Sequence, residues 1–139
     1  MGKVKEKEII AGSHTWFYRE AQPTGEARSV PILLLHGLVS QSYSWREVLP
    51  TLAEQGFRAI APDWLGCGYS EKPDRLDFAY SPSVLMQGFG LFLAALEIET
   101  CAIVTQGFLG HLGIQYALDH PEQVERLAIF NAPIFRNAK

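Results

Sequence analysis

The residues Cys101-Ala102-Ile103-Val104-Thr105-Gln106-Gly107-Phe108-Leu109-Gly110 decide how the chain reads. Residues 101–104 are a short apolar run, too brief for a helix and suited to a strand buried on both faces of a parallel sheet. Residues 105–110 then read as a tight turn, and residues 110–119 hold helical spacing until Pro121 stops them. Downstream, residues 126–131 form another apolar run and a further strand.

The same alternation extends upstream. Residues 30–35 are nearly all apolar and end at His36-Gly37, a second buried strand. Trp45, Val48, Leu49 and Leu52 recur at helical spacing, with Ser44 as a cap and Gly56 as a stop, which predicts a helix over residues 45–55. Residues 58–61 lead as a strand into the glycine-rich segment 62–70, which predicts a structured loop. A further helix is expected from Ser81 to about Leu96, with Gly88 and Gly90 weakening its middle. Residues 9–18 suggest a leading strand or hairpin, turned at Gln22-Pro23-Thr24-Gly25 after a charged leader.

Strand, helix, strand, helix, strand, helix, strand is the pattern of right-handed crossovers. The expected fold is therefore α/β and doubly wound, a mostly parallel sheet with helices on both faces. Ligands of such sheets bind beyond the carboxyl ends of the strands. That rule places His36, Gly37, Asp63, Trp64, Gln106, Gly107 and Asn131 on one rim. A dinucleotide site is disfavoured, because no GxGxxG opening follows the first buried strand.

With 139 residues, 47% of them hydrophobic, the chain can build a sizeable core, and a single domain over residues 1–139 is expected. Its net charge of -3 is carried by scattered groups, which argues against nucleic acid as a partner. Residues 1–8 alternate charges and lack the apolar core of a signal peptide, and no stretch reaches the length of a membrane span, so a cytoplasmic location is expected. Cys67 and Cys101 are too few for a disulfide framework or a metal knuckle and read as reduced packing thiols. No cofactor or metal is implied. Trp16, Trp45 and Trp64 read as core residues, with contact anchors as the alternative.

From about His14 to Ile134 the chain resembles the α/β-hydrolase superfamily, especially its haloalkane-dehalogenase-like and epoxide-hydrolase-like branch. Three motifs in order carry the resemblance: Leu33-Leu34-Leu35-His36-Gly37, then Asp63-Trp64-Leu65-Gly66-Cys67-Gly68-Tyr69-Ser70, then the elbow at residues 105–110. The resemblance puts Gly107 at the catalytic nucleophile, which leaves no side chain to attack a substrate. Glycine adopts the strained elbow conformation without a Cβ penalty, so the turn itself is expected to survive. Thr105 is the nearest hydroxyl but is expected inside the strand end.

Other roles follow by position. The resemblance implies an oxyanion pocket built from His36, Gly37, Leu38 and Phe108, using the backbone N–H groups of Leu38 and Phe108. With the positive end of the following helix, this pocket is suited to a small carbonyl or carboxylate ligand. Dehalogenation is opposed by Gly107, by Phe108 where the branch has Trp, and by Leu38 where it has Asn. Asn131 stands where some members place the catalytic acid, and His111 and His120 read as surface or capping residues rather than a triad base.

The resemblance further implies a longer protein, with a cap and more strands after the last one read here. On that reading the chain is the N-terminal half of a hydrolase core. The strand that begins at Leu127 and closes at Asn131 then has an open edge, for which the remainder of a longer chain, a protein partner or a second copy is the expected cover. Two functions compete: a non-hydrolytic protein used for binding or assembly, inactive as this chain, and the N-terminal segment of an ester- or epoxide-type hydrolase whose other catalytic parts lie elsewhere. A fragment without a function of its own overlaps both.

Overall fold

The computed structural model describes residues 3–133. They form one six-stranded sheet: β1 (Val4–Ala11), β2 (His14–Ala21), β3 (Ile32–Leu35), β4 (Ala59–Pro62), β5 (Cys101–Gln106) and β6 (Val124–Phe130), in the spatial order β1-β2-β4-β3-β5-β6. Strands β4, β3, β5 and β6 are mutually parallel, whereas β1 pairs antiparallel with β2 and β2 antiparallel with β4. Helices α1 (Val48–Glu54), α2 (Pro82–Ala95) and α3 (Gly110–Asp119) connect them. The fold is α/β with a mostly parallel sheet and helices on both faces, as the alternation of apolar runs implied.

The alternation of side chains along each strand separates two cores. Leu33, Leu35, Ile60 and Ile103 pack with Phe89, Phe92 and Leu93 of α2 and with Leu112 and Tyr116 of α3. Leu34, Ala59 and Ala61 meet Trp45, and Leu49 and Ala53 of α1, on the opposite face. Trp16, Trp45 and Trp64 are all buried, so none is a surface anchor.

Several local expectations are corrected. The hairpin turns at Gly12-Ser13, and the charged leader is itself most of β1. Its Glu6 and Lys7 reach across the ladder to Arg19 and Glu20, so cross-strand ion pairing gives these charges a strand role that polarity alone conceals. The helix expected over residues 45–55 is divided: Ser42–Trp45 is a 3-10 turn and α1 begins only at Val48. Ser44 does not cap it, since its hydroxyl donates back to the Gln41 carbonyl at 2.9 Å. The turn expected from Thr105 begins later, because β5 continues through Gln106. Helix α2 runs unbroken through Gly88 and Gly90, capped by Ser81, whose hydroxyl accepts the Val84 N–H at 3.3 Å.

Strand β6 is the last in the sheet among the described residues. Ala128 and Phe130 pair with Val104 and Gln106, which places them on the α1 face, and both are exposed. Asn131 follows the strand rather than closing it, and its φ of 51° turns the chain away.

Helix α3 seats on β5 through small residues. A Cβ on Gly113 would lie 2.7 Å from Thr105 Oγ1, 2.9 Å from Thr105 Cβ and 3.2 Å from Leu35 Cδ1. Thr105 is buried in a central strand and has nowhere to yield. Gly113→Ala is expected to lower stability by about 1–3 kcal/mol, read as a reduced midpoint of urea unfolding; an unchanged midpoint would refute this packing.

Candidate active site

Strands β3, β4 and β5 run parallel and deliver three loops to one rim. The loop after β3 opens with His36-Gly37-Leu38-Val39, that after β4 with Asp63-Trp64, and that after β5 with Gly107-Phe108.

Two side chains tie the first two loops together. His36 is fully buried; its Nδ1 donates to the Gly37 carbonyl at 2.8 Å, and its Nε2 accepts the Trp64 N–H at 3.0 Å. These bonds require the neutral ring with its proton on Nδ1. Burial accordingly holds the His36 pKa below the usual histidine value, against the opposing pull of the Gly37 carbonyl and the Asp63 charge. Asp63, also fully buried, accepts the Ser42 N–H at 2.6 Å through Oδ1 and the Tyr69 N–H at 2.8 Å through Oδ2. The Ser70 hydroxyl donates to the Asp63 carbonyl at 2.6 Å and accepts the Phe17 N–H at 2.8 Å, which secures the far end of the same loop to β2.

Two expectations about the rim are thereby corrected. Trp64 is 1% exposed and belongs to the core, and Asp63 presents no carboxylate to a ligand, because its oxygens are spent on backbone amides. His36 likewise has both nitrogens engaged and is a positioning residue. The amides of Ser42 and Tyr69 were not singled out from sequence. The only signal was the Asp63 carboxylate itself, which needs donors wherever it is buried.

Gly107 sits at the elbow with φ of 71°, a region that disfavours any Cβ. Its N–H donates to the Phe130 carbonyl at 3.1 Å, and its carbonyl accepts the Gly110 N–H at 2.9 Å as α3 begins. The loop after β3 presses directly on this turn. A Cβ on Gly107 would lie 2.9 Å from Gly37 Cα, and a Cβ on Gly37 would lie 3.0 Å from Gly107 Cα and 3.1 Å from the Gln106 carbonyl oxygen. Backbone thus meets backbone where a side chain on either glycine would project. Thr105 supplies no substitute, since it is buried and its hydroxyl donates to the Gly110 carbonyl at 3.1 Å.

Leu38 and Phe108 flank this contact, 56% and 55% exposed, and Val39 beyond them is 96% exposed with φ of 54°. A cleft of about 560 Å³ opens between Val39, Ser40 and Gln41 on one side and Gly66 to Tyr69 on the other. Cys67 lines it, but burial and the nearby Asp63 charge push its thiol pKa up, which disfavours the reactive thiolate. Burial pushes Cys101 up to about 12. His111 Nδ1 donates to the Phe108 carbonyl at 2.7 Å. His120 lies against the Tyr116 ring at 4.3 Å. His14 pairs with Glu71 at 2.8 Å. Among the described residues no group of His, Cys, Asp and Glu gathers to hold a metal ion, and no helix is long and apolar enough to cross a membrane.

A family model described as the alpha/beta hydrolase fold matches residues 30–138. The chain belongs to the α/β-hydrolase family. Among its relatives in that family, 2-hydroxymuconate semialdehyde hydrolase of Pseudomonas sp. (strain CF600) is 39% identical over 105 residues, covering 73% of this chain and 36% of the relative. A haloalkane dehalogenase of Mycobacterium marinum is 33% identical over 108 residues, covering 77% of this chain and 36% of the relative. Among solved α/β-hydrolase structures, epoxide hydrolase VrEH1 from Vigna radiata superposes with a TM-score of 0.85 at 21% identity, over 97% of this chain and 42% of that one. Cfl2 from Burkholderia cenocepacia gives a TM-score of 0.82 at 26% identity, over 100% and 46%. The chain therefore spans about a third of the length of these curated relatives and under half that of the solved structures.

Gly107→Ala is expected to cost about 1–3 kcal/mol through the left-handed φ and the contact with Gly37, measured by urea unfolding; equal stability would mean the loop yields freely. The His36 ring is neutral when folded, while an unfolded chain protonates it near pH ~6.5. Its contribution is therefore whole above that pH and is lost as pH falls below it, by up to about 1.4 kcal/mol per pH unit. Unfolding midpoints at successive pH values should show this slope, and His36→Asn should flatten it.

Proposed function

We propose that this chain binds a small carbonyl or carboxylate compound at the α/β-hydrolase elbow without cleaving it. The observation that carries the reading is the contact between Gly107 and Gly37: there is no nucleophile, and no room for one while the two backbones touch. What stays at the site is backbone. The N–H groups of Leu38 and Phe108, with the positive end of the ten-residue α3, suit an oxygen bearing partial or full negative charge. The Leu38 and Phe108 side chains are exposed and favour an apolar body on the ligand. His36 and Asp63 hold the loops in place and transfer no proton.

A second reading is the N-terminal segment of a longer ester- or epoxide-type hydrolase, supported by the 39% identity to a hydrolase of which the match covers 36%. The open edge of β6 is a contact surface for a protein partner or a second copy under the first reading, and for the rest of a longer chain under the second.

Phenylacetate titrated into the isotope-labelled chain should shift the Leu38 and Phe108 amide resonances saturably. p-Nitrophenyl acetate should give neither a burst nor turnover above buffer, and a fluorophosphonate should leave the intact mass unchanged. A covalent adduct or a burst would overturn the binding reading. Turnover appearing only when further chain is present would favour the second.

A further inference from the structure

Helix α2 contains no charged residue along its 14 positions, Pro82-Ser83-Val84-Leu85-Met86-Gln87-Gly88-Phe89-Gly90-Leu91-Phe92-Leu93-Ala94-Ala95. One side of it packs into the core through Phe89, Phe92 and Leu93. The other side, Ser83, Gln87, Leu91 and Ala94, is exposed. A surface helix ordinarily carries charge on its outer side, and a helix apolar or neutral all round is ordinarily covered on both.

The hollow beside this face has a definite character. A groove of about 430 Å³ between α2 and α3 has Met86, Gly90, Leu91 and Tyr116 in its walls, with Asp119 and His120 at its edge. Through Gly90 and Gln123 it runs on into a second hollow of about 850 Å³ bounded by Glu97, Glu99 and Glu122. No lysine or arginine lines either hollow among the described residues.

Asp119 accepts from Gln115 Nε2 at 2.8 Å and Glu122 lies 3.5 Å from His120 Nδ1, whereas Glu97 and Glu99 sit where acidic groups are disfavoured. The C-terminal end of a helix carries partial negative charge and favours cations. Helix α2 has no basic residue in its last turn, and Glu97 and Glu99 follow directly. Glu97 also occupies the left-handed position of the C-terminal cap, with φ of 58°, while its neighbour Ile98 donates to the Leu93 carbonyl at 2.9 Å. That position favours glycine, so an acidic side chain is held there against both backbone strain and the helix dipole.

We propose that the exposed face of α2, with the groove toward α3, is a docking surface for a basic amphipathic helix of another polypeptide. Its apolar side would lie over Gly90, Leu91 and Ala94, and its lysine or arginine side chains would meet Glu97, Glu99, Glu122 and Asp119. Charge selects this occupant over a second copy, because two copies face to face would bring the same carboxylates together. The surface lies on the α2/α3 face and does not depend on any ligand at the Gly107 elbow.

The test uses the full chain, isotope-labelled, and two synthetic amphipathic helices, one of leucine and lysine and one of leucine and glutamate. The lysine helix should shift the amide resonances of Gly90, Ala94, Glu97 and Gln123 saturably, and the glutamate helix should not. The paired change Glu97→Lys and Glu99→Lys should weaken binding about tenfold. Glu47→Lys with Glu54→Lys, the same charge change beside α1, should leave binding unaltered. Equal weakening by both pairs would reduce the effect to net charge and overturn the proposal. So would shifts confined to other residues, or a doubled native mass that Leu91→Asp abolishes, which would make a second copy the occupant.

Discussion

The arrangement at the rim depends on a buried carboxylate. Asp63 lies where β4 ends, and its two oxygens take the backbone amides of Ser42 and Tyr69, one from the loop after β3 and one from its own glycine-rich loop. A charge buried this completely is tolerated only with such donors, and each bond to an ionised acceptor is stronger than a neutral one. His36 answers from the other strand by accepting the Trp64 amide. The two strands are thus cross-linked just beyond their last ladder bonds, and the loop carrying Gly37 is pinned against Gly107. The close fit at the elbow is a consequence of that clasp.

The same frame separates two kinds of residue that share one motif. Within residues 63–70, Asp63, Trp64 and Ser70 are buried and serve the architecture, whereas Gly66, Cys67, Gly68 and Tyr69 border open space. Phe108 and Leu38 are exposed, yet each lies beside a glycine whose position the clasp determines. A substitution at the clasp would reach the elbow through the loop after β3, and one at Leu38 or Phe108 would leave the backbone where it is.

Much of the architecture was legible because burial on both faces writes itself as uninterrupted apolar runs. Residues 32–35, 59–61 and 101–104 of those runs fall on buried parallel strands, residues 126–130 fall on β6, which is largely exposed among the described residues, and α3 has the bounds its spacing suggested. The misreadings came where another force outweighed the pattern. Charge hid β1, because an edge strand exposed to water tolerates Lys and Glu so long as they pair across the ladder. Spacing alone extended the first helix backward over Trp45, which is buried from a 3-10 turn instead. The rule that ligands sit beyond the strand ends put Asp63 on the rim, although its amide partners, from its own loop and from the loop after β3, become visible only when those two loops meet.

The Gly37 and Gly107 contact bears on how such a site changes over time. Two glycines that touch through their α-carbons make each other's replacement conditional: a larger residue at either position is admitted only after the opposing loop has moved. A side chain at this turn therefore requires a compensating shift of the loop after β3. The two positions are thus coupled through space, and substitutions at them are non-additive by the nature of the contact.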